Sequence, residues 1–159
     1  MLFRSTELPD HPDIGGPAIR IGAFLSIFNV HINRSPCAGR VVRLEYAKGE
    51  FLDARHPASG NRNEANLMVL DTDMSVGGPV VVRQVAGKVA RRIICNATVG
   101  DTLATGQRFG MIKFGSRTDL LVPPEVVAEV SVRVGQMVQG GSTVLLRLKP
   151  RGDAERSAG

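Results

Sequence analysis

Apolar residues in this chain recur at every second position and almost never at helical spacing. Ile19, Ile21, Ala23, Leu25 and Ile27 alternate with period two, the pattern of a strand buried on one face. The phase then changes. Val30 and Ile32 fall on the opposite parity, which predicts a β-bulge near Phe28-Asn29, a device that re-aims side chains. Further strands are predicted over 40–45, 67–71, 79–85, 89–95, 108–114, 120–122, 127–132 and 143–148. Gly77-Gly78 and Gly140-Gly141 read as turns between them. Residues 53–66 are polar, carry Pro57 and Gly60, and read as a long loop of the functional or mobile kind. The expected fold is therefore mainly β, a compact β-barrel or sandwich. Residues 1–150 form one domain in this reading, and 151–159 a polar, frayed tail.

Two internal echoes support a pseudo-symmetric arrangement. Ala38-Gly39-Arg40-Val41 returns as Ala86-Gly87-Lys88-Val89. Val99-Gly100-Asp101-Thr102-Leu103-Ala104-Thr105-Gly106 returns as Val134-Gly135-Gln136-Met137-Val138-Gln139-Gly140-Gly141, with an apolar strand after each copy. Biotinyl and lipoyl modules use a similar turn-strand unit. With 18 glycines in the chain, chance repetition is the competing explanation.

Charge narrows the partners. A net charge of +5 and a sequence pI near 9.9 favour anionic ones. The basic residues are scattered, clustering only at Arg91-Arg92 and over 149–151, and aromatics make up just 4% of the chain. Few platforms exist for stacking bases, so a lipid surface is expected rather than nucleic acid. No apolar run approaches the ~20 residues a spanning helix needs. The longest, residues 21–28, is broken by Gly22 and Ser26. The first residues lack the charged start and apolar stretch of a signal peptide. Cys37 and Cys95 have no metal-site spacing and read as reduced, buried thiols of a cytosolic protein.

Few residues offer chemistry. Of three histidines, His11 and His56 lie in polar, proline-containing stretches and are expected to be solvated. His31 follows the expected bulge, and a lone histidine on a strand is more often structural than catalytic. No His/Cys cluster indicates a metal. Gly106 to Gly110 lacks the lysine and hydroxyl pair of a phosphate loop. Met111-Ile112-Lys113 lies within a strand pattern rather than at a turn tip, which disfavours a carrier lysine. What remains is Phe114-Gly115-Ser116-Arg117-Thr118-Asp119, where a strand is expected to end on Gly115-Ser116 and glycine permits an unusual backbone. Bent there, the serine hydroxyl can attack the preceding carbonyl, converting amide to ester. β-Elimination and hydrolysis would then leave an N-terminal pyruvoyl group. A Gly-Ser pair alone is uninformative, since Gly141-Ser142 is another.

Four blocks in order change its weight. They are Phe24-Leu25-Ser26-Ile27-Phe28-Asn29-Val30-His31-Ile32-Asn33-Arg34-Ser35-Pro36, Asn61-Arg62-Asn63-Glu64-Ala65-Asn66, Val82-Arg83-Gln84-Val85-Ala86-Gly87-Lys88-Val89-Ala90-Arg91-Arg92-Ile93, and the stretch from Gly110 to Asp119. Together they resemble the short, archaeal-like bacterial phosphatidylserine decarboxylases across most of residues 17–149. Ala65 stands where that family often has arginine. The resemblance implies cleavage at Gly115-Ser116 into a β chain, 1–115, and an α chain, 116–159, with Ser116 becoming a covalent pyruvoyl cofactor and no metal. It further implies a Schiff base with phosphatidylserine, loss of carbon dioxide, and phosphatidylethanolamine as product. His31 takes the family's histidine position, holding or transferring a proton near the carbanion. Asn33, Arg34, Asn63, Glu64 and Arg117 are the candidate substrate-binding residues. The implied setting is the cytoplasmic face of an anionic membrane, with the protein peripheral and a homodimer or larger assembly favoured. Phe24, Phe28 and Phe51 are candidates to dip into the bilayer interface.

The family pattern also has a hydrophobic segment and a Ser-Pro-Ala-Asp-Gly-type motif ahead of the region matching Met1. Neither occurs in this sequence, which reads as an N-terminally truncated member, and a chain starting at Met1 is expected to self-cleave slowly or not at all. The rival readings are a non-catalytic biotinyl/lipoyl-like β-barrel acting as an interaction module, a processing-deficient homologue, and a pyruvoyl decarboxylase for a soluble amino acid.

Overall fold

The computed structural model describes residues 2–26, 31–72, 77–90, 92–113 and 115–149. The bulge expected at Phe28-Asn29, Phe28 itself and the tail over 151–159 lie outside them. In chain order the elements are β1 (Leu2–His11), β2 (Gly16–Leu25), β3 (Ile32–Arg34), β4 (Gly39–Ala47), the one-turn helix α1 (Ser59–Arg62), β5 (Ala65–Asp71), β6 (Pro79–Val85), β7 (Ile93–Cys95), β8 (Thr102–Leu103), β9 (Arg108–Ile112), β10 (Ser116–Val122), β11 (Val127–Val130) and β12 (Leu146–Leu148). A 3-10 turn, Pro124–Val126, precedes β11.

Seven strands form one antiparallel sheet in the order β1-β2-β10-β6-β5-β4-β8. A three-stranded sheet, β3-β9-β7, and the β11-β12 ribbon complete the described pairing. Among the described residues no pairing joins the edges of the large sheet, so it is open. The mainly β expectation holds, and no closed barrel is formed among the described residues.

Period-two alternation assigns each residue of β2, β10 and β6 to one face of the large sheet. One face carries Ile19, Ile21, Ala23 and Leu25 beside Val122, Leu120, Thr118 and Ser116, with Val80, Val82 and Gln84 beyond. Its apolar part packs against Phe109, Leu103, Val132 and Val138 in the main core. Met68, Val41 and Phe109 there are essentially sealed from solvent, and burying each such side chain contributes about 1.5–3 kcal/mol. The other face carries Arg20 and Phe24, Arg83, and Arg117 and Asp119, next to a smaller cluster of Ala18, Val69, Val81 and Leu121.

Several expected boundaries move. β1 was not foreseen: it is an edge strand running from Leu2 opposite Phe24 to His11 opposite Gly16, its register shifting between Leu8 and His11. Pro9 sits in that shift, where a missing N–H is tolerated. His11 is consequently not solvated. Its ring lies 3.8 Å from the Asp13 carboxylate, and burial lowers its pKa against the opposing pull of Asp13. His56 is exposed, as expected. Residues 88–89 turn instead of starting a strand, leaving Val89 exposed. β10 begins at Ser116, four residues before its predicted start.

The long echo is structural. Gly100, Gly106, Gly135 and Gly141 all adopt positive φ, at 99°, 78°, 84° and 84°. Each copy closes its first turn with matching bonds: Asp101 N to Thr98 O and Thr98 N to the Asp101 carboxylate, then Gln136 N to Arg133 O and Arg133 N to the Gln136 amide. Leu103 and Val138 fill equivalent core positions. Chance does not reproduce hydrogen bonds at a constant offset.

Gly100→Ala and Gly135→Ala should each destabilise the protein by about 1–2 kcal/mol, the cost of forcing an L-residue into the left-handed region. Gly16→Ala, at a glycine with open space and no positive φ, should be near neutral. Urea denaturation of the three variants checks this.

Candidate functional site

β10 lies inside the large sheet, with β2 on one side and β6 on the other. Its first residue, Ser116, is paired with Leu25 and is 0% exposed. Among the described residues its Oγ has no hydrogen-bond partner. A buried hydroxyl left that way costs about 1–3 kcal/mol, and such exceptions call for an explanation. Gly115 stands in the left-handed region at φ 70°, a conformation costing other residues about 1–2 kcal/mol. Its N–H donates to the Leu25 carbonyl at 2.9 Å. The Gly115-Ser116 bond therefore opens a central strand, where the sequence reading had it closing one.

The blocks that resemble the family converge on this bond through hydrogen bonds. Asn63 is buried, and its amide is fully engaged: Nδ2 donates to Leu52 O at 2.7 Å and to Ala86 O at 2.8 Å, while Oδ1 accepts from Leu52 N at 3.0 Å. The Ala86 N–H donates to Glu64 O at 2.9 Å. Asn63 and Glu64 thus fix the connection from β6 to β7, whose Gly87 lies directly against the Gly115 carbonyl. The Glu64 side chain bonds Tyr46, a contact that raises the tyrosine pKa.

Arg117 points to the opposite face from Ser116. Its guanidinium donates from Nη2 to the Asp119 carboxylate at 3.0 Å, and Nε lies 2.8 Å from the other carboxylate oxygen as an ion-pair contact. Nη1 donates to Ala54 O at 2.9 Å and Ser59 Oγ at 3.0 Å, and Ser59 Oγ donates in turn to Ala54 O. The polar segment read as a long loop is accordingly pinned to β10. Arg83 lies nearby, its pKa lowered first by burial and further by Arg117 and Arg20, against the raising effect of Asp119. Arg55 stacks over the Phe24 ring at 5.5 Å, so Phe24 does not offer a bare anchor. Phe51 is half-buried.

Asn33 belongs to a buried amide chain behind Ser116. Asn66 Nδ2 donates to Gln84 Oε1 at 3.0 Å, Gln84 Nε2 to Asn33 Oδ1 at 2.8 Å, and Asn33 Nδ2 to Thr118 Oγ1 at 2.9 Å. Gln84 is completely buried, and the chain supplies partners without which each amide would be costly. His31 is half-buried, its ring nitrogens shielded from solvent. Its carbonyl accepts from Ile112 N at 3.1 Å, tying the start of the β3 arm to the strand that leads into Gly115.

Arg34 is placed elsewhere. It is exposed, donates to Gly106 O at 2.9 Å, and borders a cavity of about 360 Å³ with Cys37, Leu120, Val122 and Leu146 among its walls. Burial pushes the Cys37 thiol up to about 11, which makes it a poor nucleophile at neutral pH. Gly87, Ala54, Ser59, Asp119, Gln84 and Asn66 support the site and were not foreseen. Among the described residues, no three His, Cys, Asp or Glu side chains gather as metal ligands would.

A β protein with a buried serine behind a left-handed glycine, at the head of a central strand, is the class this geometry defines. A family model described as phosphatidylserine decarboxylase matches residues 5–146, and the chain belongs to that family. It is 49% identical over 139 residues to a phosphatidylserine decarboxylase proenzyme of Rhodopirellula baltica, covering 87% of this chain and 57% of that one. A protein of the same name from Gluconacetobacter diazotrophicus is 47% identical over 141 residues, covering 88% and 61%. One from Symbiobacterium thermophilum is 47% identical over 148 residues, covering 93% and 66%. The chain thus spans 57–61% of the length of the first two relatives. No solved structure matches it.

Asp119→Ala should cost about 3–5 kcal/mol, because it leaves the Arg117 guanidinium, only 14% exposed, without its carboxylate. Chemical denaturation measures the loss. Alkylation of Cys37 by iodoacetamide at pH 8 should run at least about tenfold slower than that of an ordinary thiol, as peptide mapping would reveal.

Proposed function

We propose that this chain carries the self-cleaving bond and the cofactor-bearing serine of a pyruvoyl-dependent phosphatidylserine decarboxylase. The observation that carries this reading is the buried Ser116 hydroxyl, without a partner among the described residues, directly after a glycine at φ 70°. A serine placed only for stability usually has its hydroxyl satisfied; Ser131 Oγ also lacks a partner among the described residues, but no left-handed glycine precedes it.

Ser116 Oγ attacks the Gly115 carbonyl carbon, the C–N bond breaks, and the amide becomes an ester with a free amine on residue 116. Loss of the Ser116 Cα proton then expels the Gly115 carboxylate from Cβ. The resulting dehydroalanine exchanges its nitrogen for the oxygen of water and releases ammonia. This leaves a pyruvoyl group at the head of 116–159 and a carboxylate at the end of 1–115. Such a group supplies a carbonyl for the substrate's amine and a sink for the electron pair released when carbon dioxide departs.

The chain's own residues supply position and protons. Once the bond is cut, residue 116 is still held by a strand paired on both edges. Arg117 adds bonds from the new α chain to Ala54 and Ser59 of the β chain. Asn33, Asn63 and Arg117 are thereby framework residues rather than groups open to the substrate. His31 holds or transfers the proton at the substrate carbon that loses carbon dioxide. The net charge of +5 suits a phosphate-bearing lipid at an anionic membrane surface on the cytoplasmic side. The relatives' names, which include the word proenzyme, support both the substrate and the processing.

The test is release of carbon dioxide from carboxyl-labelled phosphatidylserine and, side by side, from labelled free serine. Ser116→Ala should release none from either. His31→Ala should lower turnover of the lipid by about 10²–10⁴-fold. Decarboxylation by Ser116→Ala at the wild-type rate would refute the assignment, and release from serine alone would refute the lipid substrate.

A further inference from the structure

Gly87 has no positive φ among the described glycines, so its backbone conformation does not demand glycine. Its surroundings do. A methyl group built on its Cα would stand 1.8 Å from the Gly115 carbonyl oxygen, 2.8 Å from the Gly115 carbonyl carbon and 3.5 Å from Ala54 Cβ. Cβ atoms essentially never come within 3.0 Å of another heavy atom, so any side chain must displace that carbonyl by more than an ångström. Glycine is the residue that lets one backbone approach another this closely.

The segment holding Gly87 cannot easily yield. Ala86 and Ala90 on either side are buried. The Ala86 carbonyl is gripped by Asn63 and its N–H by Glu64. Gly87 N donates across the turn to Ala90 O at 3.3 Å. The Gly115 carbonyl is constrained from the other direction too, because its own residue is tied to Leu25 and the next is locked into β10.

We infer that Gly87 is a positioning residue for self-cleavage: its bare Cα forms the wall that fixes the electrophilic carbonyl of Gly115 relative to Ser116. This rests on the cleavage reading above. Attack needs the reacting atoms held in near-contact geometry, and a misplacement of about 1 Å costs on the order of 10²-fold in rate. Gly87→Ala should therefore slow formation of the ester at Gly115 by about that factor while the protein still folds.

The experiment follows chain splitting of the purified full chain over time by intact mass, with and without hydroxylamine to intercept the ester at Gly115. Wild type, Gly87→Ala and a control, Val41→Ala, are compared, along with their melting temperatures. Val41 is fully buried in β4 and distant in the sheet order from the bond, so its truncation lowers stability without touching the site. The expected result is cleavage slowed about 100-fold in Gly87→Ala, with no hydroxylamine-sensitive ester, and normal cleavage in a control at least as destabilised. Three outcomes would overturn the inference: wild-type cleavage in Gly87→Ala, an accumulating ester in it, or equal slowing in the control. Insoluble Gly87→Ala beside soluble Val41→Ala would also count against it, because the substitution would then act on folding. A wild-type chain that never splits refutes the cleavage reading instead.

Discussion

β10 is paired to β2 from its first residue and to β6 from its second, and the rest of the site depends on that constraint. A strand paired to both β2 and β6 cannot shift without breaking two ladders at once. Ser116 is consequently as fixed as any core residue, although its side chain makes no stabilising bond among the described residues. Gly115 supplies the contrast. It lies just outside the ladder, in a conformation that other residues resist, and it delivers its carbonyl to the wall formed at Gly87. A rigid strand and a turn open only to glycine meet at one peptide bond.

The alternation of β10 then separates tasks between two faces. Ser116 and Thr118 face the core side, where the amide chain through Asn33, Gln84 and Asn66 stiffens the surroundings. Arg117 and Asp119 face the other side and tie the segment before β5 to the strand. One strand thus presents Ser116 on one face and the Arg117 anchor on the other, at adjacent positions. If the bond at its head is cut, the anchor is what keeps the new terminus in register.

Much of this was legible in the sequence, for identifiable reasons. β2, β5 and β6 bury aliphatic residues in regular rows, so their patterns survive in the sequence. The turn glycines of the long repeat were legible because left-handed turns demand glycine locally, and the matching bonds at Thr98-Asp101 and Arg133-Gln136 follow from local geometry. β1 was missed because it is an edge strand with Pro9 at a register shift. The first half of β10 was missed because its buried residues are Ser116 and Asp119, polar groups whose partners come from distant segments. Gly87 shows the deeper limit. The short echo marks both Gly39 and Gly87 as glycines, and both are in fact tight approaches to a carbonyl, that of Asp71 at 2.9 Å and that of Gly115 at 1.8 Å from a built Cβ. No local pattern says which carbonyl. Only the fold distinguishes a packing contact from a contact with the Gly115-Ser116 bond.

The central claim is that Gly115-Ser116 is a bond this protein cleaves by itself. An intact-mass spectrum of the purified full chain under denaturing conditions tests it most directly. Against the slow or absent processing expected from the sequence of a chain starting at Met1, the account predicts two species that separate between residues 115 and 116, the C-terminal one refractory to N-terminal sequencing and carrying the mass of a pyruvoyl group in place of serine. A single uncleaved species, or a C-terminal fragment beginning with an ordinary serine, would contradict it.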